Sequence, residues 1–278
     1  MTVGSRFKKW AVVGFGGAAL LYYNFYGTKD FLQVHNSWTT NFTPSVKWDH
    51  NWDRRDPKSL VKPMQINNES DENSYNQQFE AKKARAVRHI LLIRHGQYNI
   101  GGKTDSDRTL TELGKQQAFA TGKRLEDLNL PYSAVVRSTM TRAQETSKII
   151  EKHLAHVNTE DDYLLVEGTP IPPEPPIGHW KLEKHFFQDG PRIEAAFRKY
   201  FHRADPSQEK DSYTVIVCHA NVIRYFVCRA LQFPPEAWMR ICLNHASITW
   251  LGIHPNGRVT LYCLGDTGHM KPQNISSH

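Results

Sequence analysis

Cysteine is scarce in this chain of 278 residues. There are four, Cys218, Cys228, Cys242 and Cys263, with no C-x-x-C pair among them. That spacing argues against a disulfide framework or a cysteine-based zinc site and leaves reduced core thiols as the expectation. Fourteen histidines are present, but no H-E-x-x-H or comparable ligand spacing, so no metal and no cofactor is expected. No stretch interleaves basic and aromatic residues as a nucleic-acid surface does, and the net charge of +7 alone selects no partner. With 39% hydrophobic and 23% charged residues, the chain has a globular balance and enough length for one sizeable domain plus extra segments.

Acidic residues are absent from positions 1–9, where Arg6, Lys8 and Lys9 stand. An apolar stretch of about 18 residues follows, "WAVVGFGGAALLYYNFYG", at the lower limit for a helix crossing about 30 Å of hydrocarbon. Trp10 and the group Tyr22, Tyr23 and Tyr26 suit the two membrane interfaces. No A-x-A cleavage site follows, which favours an uncleaved anchor over a secretory signal. The expected organisation is a basic flank and membrane anchor over 1–29, a linker over 30–88 and a catalytic domain over 89–278. Within the linker, "NNESDENSYNQQ" is polar enough to be disordered or loosely ordered, and "EAKKARAVRH" reads as a short basic helix. "WDHNWDRRD" carries Trp48 and Trp52 in a stretch too polar to form a core. Such tryptophans need a cover, either their own domain or another subunit.

From residue 89 onward, apolar runs alternate with helical patterns. "ILLI" (90–93), "YSAVVRS" and "YTVIVCHAN" read as strands, and helices follow each of them. Thr111 is the expected cap of the first helix and Ser138 that of the second. "SITWLGIHPNGRVTLYCLG" reads as a hairpin around Asn256-Gly257. The fold class is therefore α/β: three layers, a mostly parallel sheet with helices on both faces, and the hairpin at one edge. In such sheets ligands gather beyond the carboxyl ends of the strands. Those ends carry Arg94-His95-Gly96, then Ser138 with Arg142 one helical turn on, then His219-Ala220-Asn221. Two guanidiniums can bind a phosphoryl group through paired hydrogen bonds without a metal. A neutral imidazole between them can attack phosphorus, and a second, protonated one can stabilise the developing charge. Gly96 is expected to let the backbone turn and approach the phosphate.

R-H-G after a buried strand, S-x-x-x-R-A at a helix start and the late C-H-A-N resemble the histidine phosphatase, or phosphoglycerate-mutase-like, superfamily. Further stretches ("WDHNWDRRDP", "IPPEPPIGHW", "CHANVIRYFVCRALQFPPEAW") are similar to its branch of mitochondrial protein serine/threonine phosphatases. The resemblance implies His95 as nucleophile, Arg94 and Arg142 as phosphate ligands and His219 as the second catalytic histidine. It places Glu167 as the acid that protonates the leaving alcohol, with Glu174 as the weaker alternative. It also implies that Trp48, Asp49, Asn51, Trp52 and Asp53 dock subunits into homo-oligomers that activate the enzyme. The implied substrates are phosphorylated proteins, and the implied setting is a mitochondrial membrane, with roles in stress, cell death and mitophagy. An E-S-G-E-like tract that binds a ubiquitin-ligase adaptor in a relative has its counterpart in Glu69-Ser70-Asp71-Glu72, with aspartate in place of glycine. The competing readings are a phosphoglycerate-type mutase and a membrane-tethered scaffold. Mutases carry R-H-G-E-S-x-W-N, whereas this chain continues Gln97-Tyr98-Asn99.

Overall fold

A computed structural model describes residues 44, 46–65, 68–154, 157–178 and 181–277. The expected membrane anchor lies outside these residues. Among the described residues no helix is long and apolar enough to cross a membrane.

Trp48–His278 form one compact unit. Two helices, α1 (Pro57–Leu60) and α2 (Glu69–Ala81), precede strand β1 (Arg88–Arg94). Then come α3 (Glu112–Leu128), β2 (Tyr132–Ser138), α4 (Thr141–Glu151), β3 (Asn158–Asp162) and α5 (Glu183–Tyr200). The chain closes with β4 (Ser212–Cys218), α6 (Ala220–Ala230), β5 (Ile248–Ile253) and β6 (Val259–Asp266). The six strands lie in the order β3-β2-β4-β1-β5-β6. β1, β2, β3 and β4 run parallel, and β5 and β6 join antiparallel at one edge.

Strand alternation splits the core into two halves. Ile90, Leu92, Ile216 and Cys218 point to one face and pack on α5 and α6 through Ile193, Phe197, Ile223 and Phe226. Leu91, Ile93, Val215 and Val217 point to the other and meet Leu125 of α3 and Ala143 and Ile150 of α4. A strand covered on both sides reads as an unbroken apolar run, which is why β1 and β4 are visible in the sequence.

Several local expectations are revised. The polar tract "NNESDENSYNQQ" is mostly helical: Asn68 accepts a hydrogen bond from the Asp71 N–H, and Glu69, Asp71 and Glu72 lie in the first turn of α2. The helix ends at Ala81, so residues 82–87 run into β1 without the short basic helix expected there. Glu69–Glu72 are thus a helical turn, not the open turn a glycine permits. Thr111 does cap α3, accepting from the Gly114 N–H. Ser138 does not cap α4; the N-cap is Met140, without a side-chain bond, and Ser138 serves the site described below. The inward face of α3 includes Gln117, Ala118, Thr121 and Leu125. All four cysteines are free; Cys218 and Cys228 are buried, but Cys242 is exposed.

The Trp48–Asp53 segment packs on its own domain. Trp52 lies against the Phe197 ring at 5.9 Å and donates its indole N–H to the Gly257 carbonyl at 2.8 Å. The Asp53 carboxylate accepts from the Arg203 backbone N–H at 2.8 Å and from its guanidinium, a pair whose side chains are 2% and 0% exposed. Gly257 turns the β5–β6 hairpin at φ +83°, a conformation that favours glycine.

Candidate active site

The carboxyl ends of β1, β2 and β4 bring Arg94, His95, Ser138 and His219 together, because β4 lies between β1 and β2. His95 pairs with β4 through its backbone N–H, which donates to the Cys218 carbonyl at 3.0 Å. The rings of His95 and His219 are 5.2 Å apart. Arg142, on the first turn of α4, is 4% exposed and stacks over Tyr98 at 4.7 Å.

The tautomer of His95 follows from its neighbours. Nδ1 sits 2.8 Å from the Gly96 carbonyl, which can only accept, so Nδ1 carries the proton. Nε2 then keeps its lone pair, and Arg142 Nε donates to it at 3.2 Å. Burial, followed by the charges of His219, Arg142 and Arg94, holds the ring well below the ordinary histidine range. His95 is therefore a neutral base at physiological pH.

Gly96 is required here for a different reason from the one its neighbourhood suggests. A Cβ at Gly96 would lie 2.5 Å from the Gly114 carbonyl oxygen, and one at Gly114 would lie 1.9 Å from that of Gln97. The two glycines let the start of α3 press against the loop after His95. Thr146 Oγ1 accepts from the Gly96 N–H at 2.9 Å and Gln117 Oε1 from the Gln97 N–H at 2.9 Å, which fixes that loop.

His219 is fully buried at the N-cap of α6, with Nε2 2.8 Å from Ser138 Oγ and Nδ1 without a hydrogen-bond partner. Burial and the charges of Arg142, Arg192 and Arg94 hold this ring well below the ordinary range, so it is neutral until an anion offsets the guanidiniums. Arg94 Nη1 donates to the carbonyls of Leu243 at 2.5 Å and Ser277 at 3.0 Å, while its Nε has no partner. Arg142 Nη1 stands 3.6 Å from Asp105, too long for a hydrogen bond.

Glu167 follows the 3-10 turn Tyr163–Leu165. Arg192 holds that loop by donating to the carbonyls of Leu164, Val166 and Glu167 at 2.9, 2.6 and 3.3 Å. Burial pushes the Glu167 carboxyl above its usual range, against the Gly168 N–H and the two site arginines, which pull it down. Glu174 is exposed, and its backbone is engaged by Glu236 and Arg240. Of the two acids, only Glu167 lines the cavity of about 370 Å³ that also contains Arg142 and Asn221. A larger concavity of about 810 Å³ runs along α3 past Phe119 and Lys123 and contains none of these groups.

One site residue escapes the sequence. His245, 1% exposed, lies with its ring 5.6 Å from His95 and its Nε2 3.1 Å from Arg94 Nη2. A guanidinium only donates, so His245 Nε2 accepts and its Nδ1 donates to Ser276 Oγ at 2.9 Å. The C-terminal segment is held in turn by Gln117, which donates to Asn274 O at 2.7 Å and Ser276 Oγ at 2.9 Å.

The arrangement can bind a phosphoryl group between Arg94 and Arg142, present it to a bare imidazole nitrogen and place beside it a carboxyl whose protonated form burial favours. A model of the histidine phosphatase superfamily (branch 1) matches residues 90–168 and 188–265. The chain belongs to that superfamily. Over 270 residues it is 54% identical to a Drosophila persimilis protein named "Serine/threonine-protein phosphatase Pgam5, mitochondrial", covering 94% of this chain and 93% of the relative. The Xenopus laevis protein of the same name is 56% identical over 230 residues, covering 83% and 84%. Among solved structures, an open-reading-frame product of Mycobacterium tuberculosis aligns with a TM-score of 0.51 at 26% identity, covering 66% of this chain and 99% of that one.

Proposed function

We propose that this chain is a mitochondrial protein serine/threonine phosphatase that works through a phosphohistidine on His95. One observation carries the reading: His95 donates through Nδ1 to the Gly96 carbonyl, leaving Nε2 as a lone pair beside Arg142. In the proposed cycle, Arg94 and Arg142 hold the phosphoryl oxygens. His95 Nε2 forms a bond to phosphorus as the P–O bond to the serine or threonine breaks. Glu167, whose protonated form burial favours, gives its proton to the departing alkoxide. As the carboxylate, it then takes a proton from water, which attacks phosphorus, breaks the P–N bond and releases phosphate. Negative charge in the pocket favours a protonated His219, which, with the N-terminus of α6, stabilises the equatorial oxygens. No step in this cycle calls on a metal ion.

The apolar stretch near residue 10 is proposed to anchor the chain in a mitochondrial membrane, in keeping with the names of its relatives. Self-association through Trp48, Asp49, Asn51, Trp52 and Asp53 is proposed as well. The Trp48 indole N–H is buried and finds no acceptor among the described residues, a group that a neighbouring subunit could satisfy.

The test is phosphate release from a phosphoserine peptide by the purified protein in the presence of a chelator. His95→Ala is expected to abolish release while leaving the circular dichroism spectrum intact; a variant at full rate would remove the assignment. Trp52→Ala is expected to lower both the sedimentation coefficient and the specific activity. An unchanged sedimentation profile would end the assembly proposal.

A further inference from the structure

The superfamily match breaks between residues 168 and 188, immediately after Glu167. Residues 169–174, at the start of that break, are fastened to the domain. Thr169 donates through its N–H and hydroxyl to Asp189 Oδ2 at 3.0 and 3.2 Å, and the buried Trp238 donates to the Ile171 carbonyl at 2.9 Å. Glu174 N–H donates to Glu236 O at 2.9 Å, and Arg240 donates back to the Glu174 carbonyl at 2.9 Å. The segment is fastened at its start to the turn Pro235–Arg240, and it rejoins the domain as the first turns of α5.

Its far side forms one wall of the cavity that holds Arg142 and Glu167. Thr169, Lys181 and His185 line that wall. His185 lines the cavity, and its Nδ1 is buried without a hydrogen-bond partner among the described residues. Beside it the surface turns apolar: Leu182 is 62% exposed and Phe187 72%. A small phosphate ester bound between the two arginines has no use for these groups. A polypeptide has, because the chain on either side of its phosphorylated residue must leave the cavity across a wall.

We propose that Lys181–Phe187 is a docking surface for the substrate polypeptide. His185 donates to a carboxylate next to the phosphorylated residue, and Leu182 and Phe187 cover a bulky apolar side chain farther along. The surface adjoins the cavity of Arg142 and Glu167, whose lining adds Arg108 and Lys181, while its Asp189 is paired with Arg192, so an acidic segment fits it and a basic one does not. This inference rests on the phosphoprotein reading above and adds to it a sequence preference.

The test uses the full chain and three substrates: p-nitrophenyl phosphate, a phosphoserine peptide flanked by glutamate and leucine, and the same peptide with alanines at those flanks. The glutamate–leucine peptide is expected to have a KM about tenfold lower than the alanine peptide. His185→Ala, and separately Leu182→Ala with Phe187→Ala, are each expected to raise the KM of the first peptide about fivefold with kcat unchanged. Neither change should alter kcat/KM for p-nitrophenyl phosphate. Loss by the same factor on all three substrates would make the segment a prop for Glu167 and overturn the proposal. Equal KM for the two peptides would overturn it too, and would leave the phosphoprotein reading standing. Cleavage of p-nitrophenyl phosphate with neither peptide attacked would bring down both.

Discussion

Two groups of buried arginine stand at opposite ends of one sheet, and they are built differently. At the end where β5 meets β6, Arg203 closes on the Asp53 carboxylate with both side chains almost wholly buried. At the carboxyl ends of β1, β2 and β4, Arg94 forms no ion pair among the described residues, and Arg142 forms only a long one, to the exposed Asp105 at 3.6 Å. Taking a cation out of water costs several kcal/mol unless a partner returns it. The first group recovers that cost internally and is structural. The second does so only when an anion arrives, which makes it a site.

The same substitution in the two places should therefore have opposite effects. Arg142→Met is expected to lower kcat/KM for a phosphoester roughly a thousandfold, about 4 kcal/mol of transition-state stabilisation. Chemical denaturation should find it as stable as the parent or more so, because an under-paired buried charge has been removed. Arg203→Met is expected to cost about 3–5 kcal/mol of stability, since it strands the Asp53 carboxylate. Comparable stability losses for both variants would erase the distinction.

Glu167 sharpens the comparison at the site. Only its protonated form can donate to the leaving group, and burial raises its folded pKa, so the alkaline fall in activity should lie above the ordinary carboxylate range. Glu167→Gln should lower the rate about a hundredfold and flatten this alkaline limb. His95, with its pKa lowered, should add no loss of activity on the acid side near 6.5. The smallest effect is expected from His245→Leu. Arg94 stays in place through Leu243 and Ser277 but loses the contact at Nη2. KM and the inhibition constant of inorganic phosphate should rise together by about tenfold, with kcat nearly unchanged; His245→Gln, which keeps an acceptor, should recover part of the loss.

Much of this site is legible in the sequence, for a physical reason. Strands buried on both faces are uninterrupted apolar runs, and polar groups at their ends mark the rim, so Arg94, His95 and His219 stand out. Arg142 stands out through the S-x-x-x-R-A pattern that begins at Ser138, although Ser138 ends β2 rather than starting the helix. What escapes is whatever the pattern does not carry. β3 reads "NTEDD", a polar edge strand with only its last residue buried, and periodicity cannot mark it. α5 contains Gly190-Pro191, a pair that reads as a break although the helix continues through it. α2 has no apolar face and is marked only by its cap and first-turn acids. His245 sits alone in "LNHAS", and its partners Arg94 and Ser276 are distant in the chain. No local signal could have found it.

The central claim is that His95 Nε2 takes the phosphoryl group. The most direct measurement is to mix the protein with a phosphoserine peptide labelled in its phosphate, quench in alkali during turnover and map the labelled residue. The account predicts an alkali-stable, acid-labile label on His95 that is absent from His95→Ala. Label on serine, threonine or His219, or turnover with no trapped phosphoenzyme in either protein, would contradict it.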